Sequence, residues 1–178
     1  MLDKVLGLAG LQTKPAMPEM PPGGLPALPK LPQKVTLRIH AGSVLNTDTA
    51  GRSLALVAKL YKLKALDQIA QAPYDAFKDA PSGKPAGVDG VLDVREIVLT
   101  PGQTYEVVET LASDVTHIAV VGLFRAPDAK RWRFIFETKA AAATGITMGA
   151  HGCAWSVSEG TPVHAPPDTL RLAGVRCR

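Results

Sequence analysis

From Val35 onward, apolar and polar residues alternate with a period of two, and no other feature of the chain constrains its fold as strongly. Val35, Leu37 and Ile39 alternate with Thr36, Arg38 and His40. Successive side chains of an extended strand point to opposite faces, so such a run is a strand with one face buried. A polar stretch rich in turn formers, 43–53, follows it. Leu54, Leu56, Ala58 and Leu60 then mark a second strand, with Lys59 and Tyr61 on its other face. Further strands are expected at 91–99, 104–111, 117–124, 131–138, 153–158 and 169–175, with Pro101-Gly102 as a tight turn between the first two of these. Segment 117–124 is almost wholly apolar and belongs at the centre of a sheet, buried on both sides. Trp132, Phe134 and Phe136 alternate with Arg131, Arg133 and Glu137, so the three aromatic rings are expected on one buried face.

Between Lys64 and Ala80 the period becomes helical, with Leu66, Ile69 and Ala70 on one face and Phe77 continuing it. Pro73 has no N–H to donate and its ring clashes with the preceding turn, which predicts two short helices rather than one. No internal repeat is visible, and the βαβ alternation of a doubly wound sheet is missing. Seven or eight short strands with one helical insertion after the second strand therefore predict an all-β, two-sheet β-sandwich.

Pro15, Pro18, Pro21, Pro22, Pro26, Pro29 and Pro32 punctuate the start of the chain. Prolines at this spacing remove backbone donors and favour extended, polyproline-like conformations. Residues 1–33 are thus expected to be a flexible tether, and 34–178 the sandwich. A ligand for an SH3-like domain is the competing reading, but the Lys and Arg flanks are sparse. With 46% hydrophobic residues the chain has the apolar content of a globular domain. Its net charge of +4 is spread thinly, densest at Lys130-Arg131 with Arg133. Nucleic-acid binding calls for a concentrated basic stripe, so no nucleic-acid partner is expected. No apolar run reaches the roughly 18–20 residues of a membrane helix. The first ten residues are too short and polar for a signal peptide, which taken alone suggests a cytosolic protein.

Reactive constellations are scarce. His40, His117, His151 and His164 share no metal-ligand spacing with one another or with the cysteines, so no metal is expected. Asp48-Thr49-Ala50-Gly51 approaches an aspartic-protease motif, but Ala50 interrupts it and no second copy supplies the paired carboxylate. Neither a nucleophile elbow nor a phosphate-cradling loop is present. The expectation is a non-catalytic protein with no cofactor, a dispersed hydrolase triad being the alternative. A small-ligand or carbohydrate-binding sandwich using Trp132 and Trp155 as stacking platforms is another, although their alternation places both rings in the core. Within the 43–53 loop, apolar Val44 and Leu45 stand beside Asn46, Asp48, Gly51 and Arg52. Two readings remain open: Leu45 tucks under the sandwich end with Asn46 and Asp48 making turns, or the loop is a contact surface.

Four sets of residues stand together in order: Leu45-Asn46-x-Asp48 and Gly51-Arg52 leading into Leu60-Tyr61-x-Leu63; Tyr74-Asp75-Ala76-Phe77; Glu96-x-x-Leu99-x-Pro101-Gly102; and 118–125 followed by Arg131-Trp132-Arg133. Together they are similar to the type VI secretion lipoprotein family, also called TssJ. The likeness spans roughly 35–158. It implies a transthyretin-like sandwich on the periplasmic face of the bacterial outer membrane, anchored there by an acylated N-terminal cysteine. It further implies binding to the periplasmic C-terminal domain of TssM and, through it, a place in the TssL–TssM–TssJ complex. Carried over by motif, the partner-binding positions are Leu45, Asn46, Asp48 and Arg52, with Gly51 a backbone requirement. The chain begins Met1-Leu2-Asp3, without a lipobox or cysteine. The expectation is that Met1 stands in a trimmed chain where the lipid-bearing residue would be, an unlipidated relative being the alternative. The two cysteines, Cys153 and Cys177, permit a single bridge. With the implied periplasmic address, a Cys153–Cys177 disulfide is expected, contributing about 3 kcal/mol on the chain-entropy argument, against buried free thiols.

Overall fold

The structure, a computed structural model, describes residues 23–24, 26–80 and 83–178. Strands β1 (Gln33–Ala41) and β2 (Leu56–Leu63) are followed by helices α1 (Asp67–Gln71) and α2 (Tyr74–Lys78). Then come β3 (Val91–Leu99), β4 (Thr104–Leu111), β5 (His117–Gly122), β6 (Arg133–Glu137), α3 (Thr138–Thr144), β7 (Ile146–Ala150), β8 (Trp155–Glu159) and a 3-10 turn, Pro167–Leu170. The strands form two four-stranded sheets, ordered β4-β1-β7-β8 and β3-β2-β5-β6. β1 and β7 run parallel, while the other pairings are antiparallel. The result is the all-β sandwich that the alternation predicts.

Val35, Leu37, Ile39 and Ala41 of β1 are buried, and their row meets Leu60, Val120, Phe134 and Phe136 of the other sheet in one continuous core. Each such Leu, Ile or Phe contributes roughly 1.5–3 kcal/mol when withdrawn from water. Trp155 is fully buried in this core, edge-on to Phe124 at 5.6 Å, and its indole N–H donates to the Trp132 carbonyl at 3.1 Å.

The second sheet is buried on its outer side too. Register places Lys59 opposite Val121, Tyr61 opposite Ala119, and these opposite Arg133 and Ile135, so the six share one face. Helices α1 and α2 cover it: Phe77 packs edge-on against Tyr61 at 5.6 Å and Trp132 at 5.4 Å. Lys59 Nζ donates to the Phe77 carbonyl, and the Tyr61 hydroxyl to the Gly83 carbonyl. The Arg133 guanidinium donates to the carbonyls of Ile69, Ala70 and Ala72 at the end of α1, and lies 4.4 Å over the Trp132 ring. Burial pushes Arg133 down to about 10, which leaves it charged at neutral pH. Trp132 therefore departs from the expected row: it precedes β6 and packs on Tyr74 and Phe77 instead of joining Phe134 and Phe136.

Three further expectations are corrected. Leu54 lies outside β2 and is exposed. Helix α3 takes Thr138 from the end of an expected strand, and 139–150 holds the rest of α3 and β7, where no element was expected. Segment 169–175 is not a strand; it follows the 3-10 turn without regular structure and is fastened by Arg131, whose guanidinium donates to the carbonyls of Asp168 and Arg171. Of the expected tether, residues 1–22 and 25 lie outside the described residues, and 26–32 are exposed with no helix or strand.

Where the sheets' free edges β3 and β4 approach each other, the interior turns polar. Glu109 is buried opposite Val35 and meets Lys62 Nζ at 3.1 Å and Arg95 Nε at 2.9 Å, while Lys62 also meets Asp93 at 2.9 Å. Burial opposes the charge on Lys62, but the Asp93 and Glu109 carboxylates outweigh it and hold its pKa above the ordinary lysine value.

Candidate functional site

The β1–β2 connection, 42–55, is tied down at almost every residue. The Asp48 Oδ1 accepts the backbone N–H groups of Ala50 and Arg52, both at 2.9 Å, and Oδ2 accepts Arg52 Nε at 2.8 Å. The Arg52 N–H, followed by the Arg52 side chain and the Ala50 N–H, outweighs partial desolvation and holds the Asp48 carboxyl below the usual range. Gly51 sits at φ 77°, so the closing turn demands a residue without a Cβ. The Ser53 hydroxyl accepts the Leu45 N–H and donates to the Ser43 carbonyl, pinning the loop across its width.

Asn46 adopts a left-handed φ of 42° and is only 7% exposed. Its Nδ2 donates to the Ala55 carbonyl at 2.8 Å, and its Oδ1 accepts the Arg125 N–H at 2.7 Å. The backbone N–H groups of Asn46 and Thr47 donate to the carbonyls of His151 and Gly152, and Arg125 Nε donates to the Thr47 carbonyl. A buried asparagine with both ends of its amide bonded fixes the loop at the sandwich end.

Leu45 is fully buried, so it belongs to the core. Asn46 is likewise interior, and the Asp48 carboxylate is engaged within its own loop. Of the four positions carried over by motif, Arg52 alone presents a largely exposed side chain, at 80%. Its apolar neighbours on the surface are Val44, 60% exposed, and Leu54, 40% exposed. The loop thus displays two aliphatic side chains beside a cation. Arg125, whose backbone and side chain both hold the loop, ends the 118–125 segment of the family resemblance, but nothing in the sequence ties it to the loop.

Beside the loop runs a groove of about 280 Å³, lined by Val44 and Thr47 of the loop and by Leu172 and Val175 of the C-terminal segment. The Cys153–Cys177 disulfide, with Cα atoms 5.5 Å apart, also lines it. Among the described residues no catalytic constellation converges here. His151 Nε2 lies 2.8 Å from the Ser156 hydroxyl, no carboxylate of the described residues bonds the imidazole, and burial lowers the His151 pKa. Among the described residues no group of three or more His, Cys, Asp or Glu side chains could hold a metal. Trp155 is fully buried and Trp132 is 8% exposed, so neither offers a stacking face to a sugar.

Comparison with known proteins places this geometry in context. The family model described as type VI secretion lipoprotein (VasD, EvfM, TssJ) matches residues 33–153. No curated protein matches the sequence. Among solved structures, the T6SS lipoprotein TssJ1 from Pseudomonas aeruginosa is 23% identical with a TM-score of 0.62, covering 76% of this chain and 99% of that one. Lip from Serratia marcescens, a membrane-bound component of the type VI secretion system, is 16% identical with a TM-score of 0.60, covering 71% and 97%. A chain in a structure of the T6SS protein TssM C-terminal domain (869–1107) from EAEC is 23% identical with a TM-score of 0.61, covering 71% and 98%. At these identities the likeness is one of fold.

Proposed function

Because this chain belongs to the type VI secretion lipoprotein family, we propose that it is anchored at the periplasmic face of the outer membrane and binds the periplasmic C-terminal domain of TssM through its β1–β2 loop. In this role it is a structural part of the secretion system's membrane complex, joined to TssL through TssM, and not an enzyme. The proline-punctuated segment 1–33 is the tether between an acylated cysteine and the sandwich of 34–178. An acyl chain reconciles a polar domain surface with a membrane address.

The observation that carries the reading is a loop held rigid from beneath by Leu45 and Asn46 while it displays Val44, Leu54 and Arg52. A preformed loop loses little conformational freedom on association, and an apolar anchor with a charged rim suits a protein partner. The test is titration calorimetry against the TssM periplasmic domain, paired with a thermal melt. Val44→Asp with Arg52→Glu is expected to weaken binding by about tenfold or more, near 1.4 kcal/mol, while lowering stability only by the small contribution of the exposed Arg52–Asp48 pair. Leu45→Ala is expected to cost about 2–5 kcal/mol of stability, because it opens a cavity in the core. Unchanged affinity in a folded Val44→Asp/Arg52→Glu variant would move the partner surface elsewhere, the α1–α2 insertion being the next candidate.

A further inference from the structure

The groove beside the loop is half built from chain beyond the family's matched span. Residues 33–153 match the family, whereas Leu172 and Val175 come from the C-terminal segment. That segment is secured three ways. The disulfide fixes Cys177 to Cys153. The Arg125 guanidinium donates to the Arg178 carbonyl while its Nε holds Thr47 of the loop. Arg131 holds the Asp168 and Arg171 carbonyls. Loop, floor and C-terminal segment are thereby locked into one continuous surface.

The charge around this groove is one-sided. Arg52, Arg125, Arg176 and Arg178 are all exposed, and the nearby acidic side chains, Asp48 and Asp128, are already bonded to Arg52 and Arg131. An apolar trough with a cationic rim selects for an aliphatic side chain flanked by carboxylates. We propose that the groove between Val44 and Val175 is a specificity pocket that takes an aliphatic side chain from an acidic segment of the protein bound at the β1–β2 loop. This inference rests on the loop being the partner surface, with which the groove shares Val44. Its volume of about 280 Å³ has room for an aliphatic side chain or a pair of them. Arg176 and Arg178 would hold the flanking carboxylates, and the net positive rim would raise the encounter rate.

The experiment uses the full chain and the TssM periplasmic domain, with calorimetry across a salt series and hydrogen–deuterium exchange on the complex. Val175→Asp is expected to weaken binding about tenfold by placing a carboxylate in the trough. Arg176→Glu is expected to weaken it several-fold and to flatten the salt dependence. In the wild-type complex, exchange should slow at 151–154 and 171–177. If Val175→Asp and Arg176→Glu bind like the wild type while Val44→Asp with Arg52→Glu does not, the pocket is refuted and the loop reading stands. A wild-type chain that does not bind the domain refutes both. Should Val175→Asp fail to fold, the wild-type exchange decides, because unslowed exchange at 171–177 overturns the pocket by itself.

Discussion

Both oxygens of the Asp48 carboxylate are occupied by hydrogen bonds from within six residues of chain, so the loop reports on its own ionisation. The folded pKa is depressed below the ordinary value of 3.8, chiefly by the Arg52 N–H. A depressed carboxylate favours the ordered loop at all pH values above the ordinary range, and that contribution fades only as pH falls through the lowered value. A carbon-13 titration of the Asp48 carboxyl is expected to give a midpoint below 3.8, with the Ala50 and Arg52 amide signals shifting together with it. A midpoint at or above that value would mean that the cage does not form in solution. At this scale the sequence marked the loop as a candidate but not which of its side chains face outward. Val44 and Leu45 are adjacent and chemically alike, and what separates them is the floor supplied by His151, Gly152 and Arg125, more than 70 residues away.

Helix α1 is one and a half turns long and depends on a strand residue for its C-terminal end. Arg133 is the fork that gathers the Ile69, Ala70 and Ala72 carbonyls and stacks on Trp132. Arg133→Met is expected to cost about 2–3 kcal/mol in denaturant melts, the scale of charge-assisted bonds lost together. It should also speed amide exchange across 67–78. Arg133→Lys should recover little, because an ammonium cannot span three carbonyls as a planar fork does. Exchange in 67–78 that stays at the wild-type rate would show that the insertion holds itself. Elements with local signals were legible: β3 and β4 fall at the expected bounds around Pro101-Gly102, and Pro73 divides α1 from α2. Elements that depend on distant partners were not. β7 is five residues long and is defined by parallel pairing with β1, more than 100 positions earlier. Tyr61 and Lys59 read as the outer side of a half-buried strand, yet α2 closes over them. Segment 169–175 has strand-like residues but ends in a tail that a disulfide and Arg131 hold in place.

For the molecule as a whole, the 24-residue separation of Cys153 and Cys177 sets how strongly the tail is bound to the sandwich. On the loop-closure argument, Cys177→Ser should cost at most about 3.5 kcal/mol. Because the tail packs at one end of the sandwich, the loss should show as faster exchange at 171–177 more than as unfolding of the sheets. A thermal melt of the variant, compared with the wild type under oxidising conditions, checks the first part. An unaltered exchange pattern would detach the tail's order from the bridge.

β1 begins where the proline-rich segment ends, at Gln33, and finishes at Ala41, one residue before the β1–β2 connection. Nine extended residues reach roughly 30 Å, so the two attachment points of the proposed arrangement lie at opposite poles of the sandwich. They are also the two ends of a single strand, flanked by β4 on one side and β7 on the other. Tension between an envelope anchor and a bound partner would therefore travel along the covalent backbone of β1. The hydrogen bonds to its neighbours would stand beside that load path and not in series with it. The remaining strands would then serve to keep one taut segment straight and its loop correctly presented, and the coupling could bear mechanical stress without the domain having to unfold.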